Sequence, residues 1–284
     1  MSQRNNEDRL GAKTPMPDST IPLEAGDSPS FDFNFTTPTE FVELPSKGRF
    51  YPEGHPLHNQ EHIEIRYMTA KDEDILTSKA LLRKGVAIDR FLQNIIVDKR
   101  IKVDDLLIGD KNALVVGSRV TGYGADYVTN IKCSSCDAAF EHSFNLESPT
   151  INSGSLPEGC SATENGTFFI TLPKMKIRVE VRMLTGQDEK ALAFIQEKRR
   201  KHKLPETNLT DQFRQFIVSV EGHKDPSIIS KLIEHMPAVD SQHLRATYKE
   251  IVPNIDLKEE VTCEVCGREQ EIDVPFTADF FWPK

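Results

Sequence analysis

Two pairs of cysteines, Cys133-Ser-Ser-Cys136 and Cys263-Glu-Val-Cys266, are the residues in this chain whose type and spacing could do chemistry. A Cys-x-x-Cys turn sets two sulfurs side by side and aims backbone N–H groups at them, which lowers the cost of thiolate charge. Two such turns supply four thiolates, the tetrahedral ligand set of a closed structural zinc site. Each pair is preceded by a β-prone stretch (128–132; Val261 and Thr262) and followed by another (139–144; 271–274), the pattern of a zinc-ribbon knuckle. A redox dithiol would instead sit at a helix N-terminus, where the dipole lowers the pKa of the first thiol. Reduced turns without metal are the other alternative. Cys160, in a loose stretch, reads as a free thiol, and His142 as a solvated strand histidine.

The second pair begins 127 positions after the first ends, far more than a simple ribbon spans. An internal duplication explains the distance. Ile63 and Ile65 alternate as a strand that runs to Arg66-Tyr-Met-Thr69, and Met175, Ile177, Val179 and Val181 alternate as a strand that runs to Arg182-Met-Leu-Thr185. In both copies an Arg stands three before the Thr, and Asp and Glu follow three and four after it (Asp72, Glu73; Asp188, Glu189). That is a helix start with a capping box and first-turn carboxylates. Phe91-Leu-Gln-Asn-Ile-Ile parallels Phe213-Arg-Gln-Phe-Ile-Val, and the interval from Thr to first Cys is 64 residues in one copy and 78 in the other. The expected fold class is therefore α+β, with two related lobes. Each lobe reads strand–helices–strand–knuckle hairpin, and a four-cysteine site joins the two.

The rest of the chain divides by composition. Residues 1–30 are acidic and poor in large apolar side chains, a composition that does not support a packed core. Residues 31–60 read as an extended arm in which Phe31, Phe33 and Phe35 alternate with polar residues, ahead of a Pro45-to-Gly48 turn. The first lobe spans 61–147, a Pro/Gly/Ser-rich linker 148–166, and the second lobe 167–276. An aromatic tail, 277–284, carries Phe280, Phe281 and Trp282, the single tryptophan. An aromatic terminus must be tucked against its own core or buried in a partner. The arm phenylalanines and these three tail residues are accordingly the candidate partner-binding positions.

Other chemistry is sparse. The run Lys198-Arg-Arg-Lys-His-Lys203 could touch phosphate, but it also suits the last turn of a helix, where cations complement the dipole. The paired carboxylates read as caps. No Walker loop, nucleophile elbow, His-Glu-x-x-His or dinucleotide fingerprint occurs, so no residue stands out on which to place a reaction. Of the 284 residues, 35 are Lys or Arg and 44 Asp or Glu, and the net charge of −9 argues against a nucleic-acid coat. No apolar run approaches the 18 or so residues of a membrane span. The N-terminal segment has no apolar secretion core, so a reducing compartment is expected, where cysteine pairs more often hold metal.

Several motifs converge on a known family. Leu44-Pro-Ser-Lys-Gly48-x-x-Tyr51, the Thr-x-x-Asp-Glu helix starts, the Cys-x-x-Cys pairs and the terminal Asp279-Phe-Phe-Trp282 resemble baseplate proteins of T-even-type tailed bacteriophages. Within these the resemblance is to the hub subunit or hub assembly family, and it covers roughly residues 40–284. It implies a structural or assembly role in a contractile tail, partners among other baseplate or tail proteins, residence in the virion after assembly in the host cytoplasm, and no enzymatic activity. Not every member carries both cysteine pairs, so structural zinc rests on the spacing alone. The alternatives are a zinc-ribbon module that binds nucleic acid or a transcription complex, and an enzyme with an unrecognised site.

Overall fold

The computed structural model describes residues 36–281 except 148, 206 and 275–277. Thr37–Lys284 forms one compact unit. The fold is α+β, with eight α-helices and small antiparallel sheets among the described residues.

The first half opens with β1 (Thr39–Glu43) and β2 (His62–Arg66), paired so that Thr39 faces Arg66. Helices α1 (Ala70–Thr77), α2 (Lys79–Arg83) and α3 (Ala87–Ile95) follow, then a 3₁₀ turn at Val103–Asp105 and the long helix α4 (Ile108–Tyr123). The helix that starts after Thr69 is broken at Ser78, whose ψ is extended at 107°; α2 buries no side chain that could hold the two pieces in line. Hairpin β3 (Asp126–Lys132) and β4 (Ala139–Asn145) closes the half.

Two short strands, β5 (Thr150–Asn152) and β6 (Ser161–Ala162), fall inside the expected linker. The second half then runs β7 (Thr167–Thr171), β8 (Arg178–Arg182), α5 (Gly186–Lys201), α6 (Asn208–Phe216), β9 (Ile217–Val220), α7 (Pro226–His235) and α8 (Ala238–Ile251). It ends with β10 (Asn254–Asp256), β11 (Lys258–Thr262) and β12 (Glu269–Asp273), and a 3₁₀ turn at Ala278–Phe281. Strands β6-β7-β8-β9 form one sheet, whereas β10 crosses back to pair with β5.

Two expectations are corrected here. The linker 148–166 is not a bare connection, because β5 pairs with β10 and β6 with β7, so its backbone groups are used in ladders. The arm 31–60 joins the core once it reaches β1, since Leu44, Tyr51 and Leu57 are 0–4% exposed. Its phenylalanines Phe31, Phe33 and Phe35 lie outside the described residues. Residues 113–116 lie within α4, and both halves feed one continuous apolar core.

Candidate metal centre

Each knuckle is made by its flanking strands. At the first, Cys133 N–H donates to Ala138 and Cys133 C=O accepts from Asp137 at 3.0 Å; at the second, Cys263 N–H donates to Arg268 and Cys263 C=O accepts from Gly267 at 2.9 Å. The residue that reverses the chain has positive φ in both, 55° at Asp137 and 68° at Gly267, which suits Asp and Gly. The sequence thus folds both turns locally, with the leading cysteine buried and the second exposed.

The tertiary fold then brings the knuckles together. Cys133 Sγ lies 3.7 Å from Cys266 Sγ, and Cys136 Sγ 3.8 Å from Cys263 Sγ. All four sulfurs lie within 4.8 Å of one another. A tetrahedron with metal–sulfur bonds near 2.3 Å has sulfur–sulfur edges of about 3.8 Å, so the cavity between the four sulfurs matches a thiolate-bound metal, and no pair is a disulfide. The backbone N–H groups of Cys136 and Ser135 pull the Cys133 thiol down to about 6. At Cys136 the Ala138 N–H works in the same direction, but burial and hydrogen bonds from the other three sulfurs push it up to about 12. Cys133 thus holds its charge more readily than Cys136, an imbalance that a bound cation removes.

Polar contacts between the hairpins surround the sulfurs. Ser134 donates from N–H and Oγ to Gln270 Oε1 at 3.0 and 2.9 Å. His142 Nε2 sits 3.5 Å from Glu259, and its ring packs edge-on against Phe144, so His142 bridges β4 to β11 outside the sulfur cluster. Cys160 is half-buried away from the cluster, and burial raises its pKa.

The remaining sequence motifs are part of the framework. Arg66 makes a two-pronged pair with Asp72 at 2.7 and 2.9 Å, and Arg182 with Asp188 at 2.7 Å on both prongs. In each pair the same carboxylate accepts from the N–H of the capping Thr at 2.9 Å. Burial opposes ionisation of Asp72, but Arg66, Thr69 and Asn94 together hold it at about 2, and Asp188 is lowered in the same way by Arg182 and Thr185. The basic run 198–203 forms the last turn and end of α5.

Sequence reasoning missed three buried residues. Asp110, in the first turn of α4, accepts from Ser46 N–H (3.0 Å), Ser46 Oγ (2.6 Å) and Tyr51 Oη (2.8 Å). Asp240, in the first turn of α8, accepts from Lys174 and Met175 N–H. Arg119, 1% exposed, donates to the carbonyls of Phe280 (2.7 Å), Gly124 and Asp126. A carboxylate or guanidinium in a stretch otherwise apolar, as in 113–120, was the available signal.

The same contacts correct the expectation that the tail residues Phe280 and Phe281 bind a partner. Phe280 and Phe281 are 1% and 2% exposed, with Phe280 edge-on to Tyr127 at 5.0 Å and Phe281 edge-on to Phe91 at 5.3 Å. They are held in the chain's own core by Arg119 and cannot present their rings to a partner. Trp282 lies outside the described residues.

A family profile described as T4 bacteriophage base plate protein matches residues 37–282, the whole of the described fold. The chain belongs to that family. No curated protein and no solved structure matches it. Membership supports a structural role in a phage baseplate, with the tail of the virion as its place and other baseplate or tail proteins as its contacts. No helix among the described residues is long and apolar enough to cross a membrane.

Proposed function

We propose that this chain is a non-catalytic structural or assembly component of the baseplate hub, held together by one structural zinc ion on Cys133, Cys136, Cys263 and Cys266. The observation that carries the metal is the pair of cross-hairpin sulfur distances, 3.7 and 3.8 Å, at the edge length of a zinc–thiolate tetrahedron. A set of four thiolates suits zinc or iron, and a closed set without an open position suits a structural ion. The two halves descend from one duplicated unit. Its repeated features are the Arg–Asp–Thr caps, the first-turn carboxylates Asp110 and Asp240 that clamp the preceding strand turn, and the two knuckles. The metal closes the pair of repeats. Phe31, Phe33 and Phe35 form an apolar arm that docks on a neighbouring subunit.

Elemental analysis of freshly purified, unchelated protein tests the metal, and one zinc per chain is expected; no zinc and no other thiophilic metal refutes it. Mass spectrometry of purified tails and of assembly intermediates tests the hub role, which fails if the chain is present in neither and its loss leaves assembly intact. Deleting residues 1–38 is expected to leave the melting temperature of the isolated chain nearly unchanged and to abolish its incorporation.

A further inference from the structure

In the second half, both edges of the β7–β8 pair are covered; in the first half, one edge of the matching pair is bare. The register makes the match residue by residue. Thr39 faces Arg66 as Thr167 faces Arg182, so Glu40, Phe41, Val42 and Glu43 correspond to Phe168, Phe169, Ile170 and Thr171. On the far side of β7, Ser161 and Ala162 of β6 pair with Phe169 and Phe168, and Thr163 N–H donates to Thr167 C=O at 2.8 Å. Among the described residues no strand pairs with the corresponding side of β1.

That side has hydrogen-bonding groups to offer. Leu44 N–H donates to Glu61, and Pro38 C=O accepts from Tyr67, both across to β2 or its extension. Hydrogen-bonded pairs alternate along an antiparallel ladder, so Thr39, Phe41 and Glu43 turn their N–H and C=O groups away from β2. Phe41 is 66% exposed, a large apolar side chain left in water at an open strand edge. Beside it runs a groove of about 250 Å³, lined by β1 on one wall, by Val116, Gly117 and Val120 of α4, and by Leu146 and Ile151 opposite. No residue of β2 lines it. Its charged lining residues are Glu40, Glu43 and Glu147, all acidic.

We propose that the bare edge of β1 accepts an added strand from another baseplate protein, an extended segment that carries apolar side chains interspersed with Lys or Arg. Main-chain hydrogen bonds to Thr39, Phe41 and Glu43 supply affinity, the groove selects apolar side chains, and the three carboxylates select cations. The chain's own Phe31-Asp-Phe-Asn-Phe35 carries no cation and does not fit this charge pattern, in its own molecule or in a second copy. The inference rests on the baseplate reading and names the surface through which that role is exercised.

The test uses the full chain and tails assembled in cells that lack it. Phe41→Pro removes an outward N–H and leaves the β1–β2 ladder intact, because proline is tolerated on the open side of an edge strand. The pair Glu40→Lys and Glu43→Lys reverses the exposed charge. Wild-type chain is expected to co-sediment with these tails, and each variant to be retained at least about tenfold less, while each isolated variant melts as wild type does. Should Phe41→Pro lower the melting temperature, the charge reversal alone decides. Retention equal to wild type in the charge-reversed chain overturns the inference while leaving the baseplate reading in place. Failure of the wild-type chain to co-sediment overturns both. A photoreactive phenylalanine analogue at position 41 that crosslinks in tails only to this chain, own arm or second copy, also overturns it.

Discussion

Replacing Asp110 with Ala removes the acceptor on which the Leu44-to-Tyr51 motif closes. Asp110 is 0% exposed, as is Ser46, and Tyr51 is 4% exposed. The substitution therefore leaves three donors without their partner: Ser46 N–H, Ser46 Oγ and Tyr51 Oη. A buried group deprived of its partner costs about 1–3 kcal/mol, so three linked ones in a small site cost about 4–6 kcal/mol. In a unit of this size that lowers the melting temperature by roughly 10–20 °C. The same loop is fixed at Gly48, whose φ of +69° and whose absent Cβ, which would lie 2.3 Å from Leu57 O and Gln60 N, exclude any side chain. Tyr51→Phe removes one donor to Asp110 and also the acceptor for Leu107 N–H, at 3.1 Å, for about 2 kcal/mol. Urea unfolding of wild type, Asp110→Ala, Tyr51→Phe and the double variant gives the coupling, expected to be about 1–3 kcal/mol because both singles break the shared Tyr51–Asp110 bond. A loss below about 1 kcal/mol in Asp110→Ala, or additive single effects, refutes the account of the motif as a lock between the β1–β2 loop and α4.

Cys263→Ser, or chelation of the wild-type chain, is expected to open the β11–β12 hairpin locally and not to unfold the core, since a lone two-stranded hairpin is marginal in water. Hydrogen exchange checks it, with protection in residues 258–273 falling by about a hundredfold or more and that of Phe91 and Leu114 unchanged. Arg119→Ala leaves the Phe280 carbonyl, Gly124 and Asp126 without their shared donor, and is expected to cost about 3–5 kcal/mol and to release Phe280 and Phe281, read as faster proteolysis of the C-terminus. Asp72 and Asp188 have folded pKa values below their unfolded ones, so the stability they confer is present above about pH 3.9 and is lost as pH falls through the folded values, about 2 for Asp72. With Arg66 partly exposed to screening, the Asp72 share is about 1–2 kcal/mol. Urea melts at stepped pH are expected to show the gap between wild type and Asp72→Asn closing across that window.

What the sequence by itself determined is what a short stretch of chain can complete. The Thr69–Asp72 and Thr185–Asp188 caps span four residues, and each knuckle spans six, so residue type and spacing specify them without reference to the rest of the molecule. The alternation of Ile63 and Ile65, and of Val179 and Val181, marked their strands because one buried face imposes a period of two. Tertiary structure decided where these pieces meet. Residues 148–166 look like a linker, yet β5 within them pairs with β10 about a hundred residues on. Nothing local distinguishes a strand three residues long from a loop until its partner is present. Asp110 finds Ser46 64 positions back, and Arg119 finds Phe280 161 positions on. The aromatic tail was equally compatible with a partner and with its own core, since burial of a ring is favourable wherever the cavity lies. Arg119, the buried donor at that cavity, made the choice. Repetition alone carried long-range information in the sequence, because a local pattern that occurs twice predicts that the Cys133–Cys136 and Cys263–Cys266 knuckles share one site; distances between the sulfurs came only from the folded chain, where backbone geometry, not residue type, sets them.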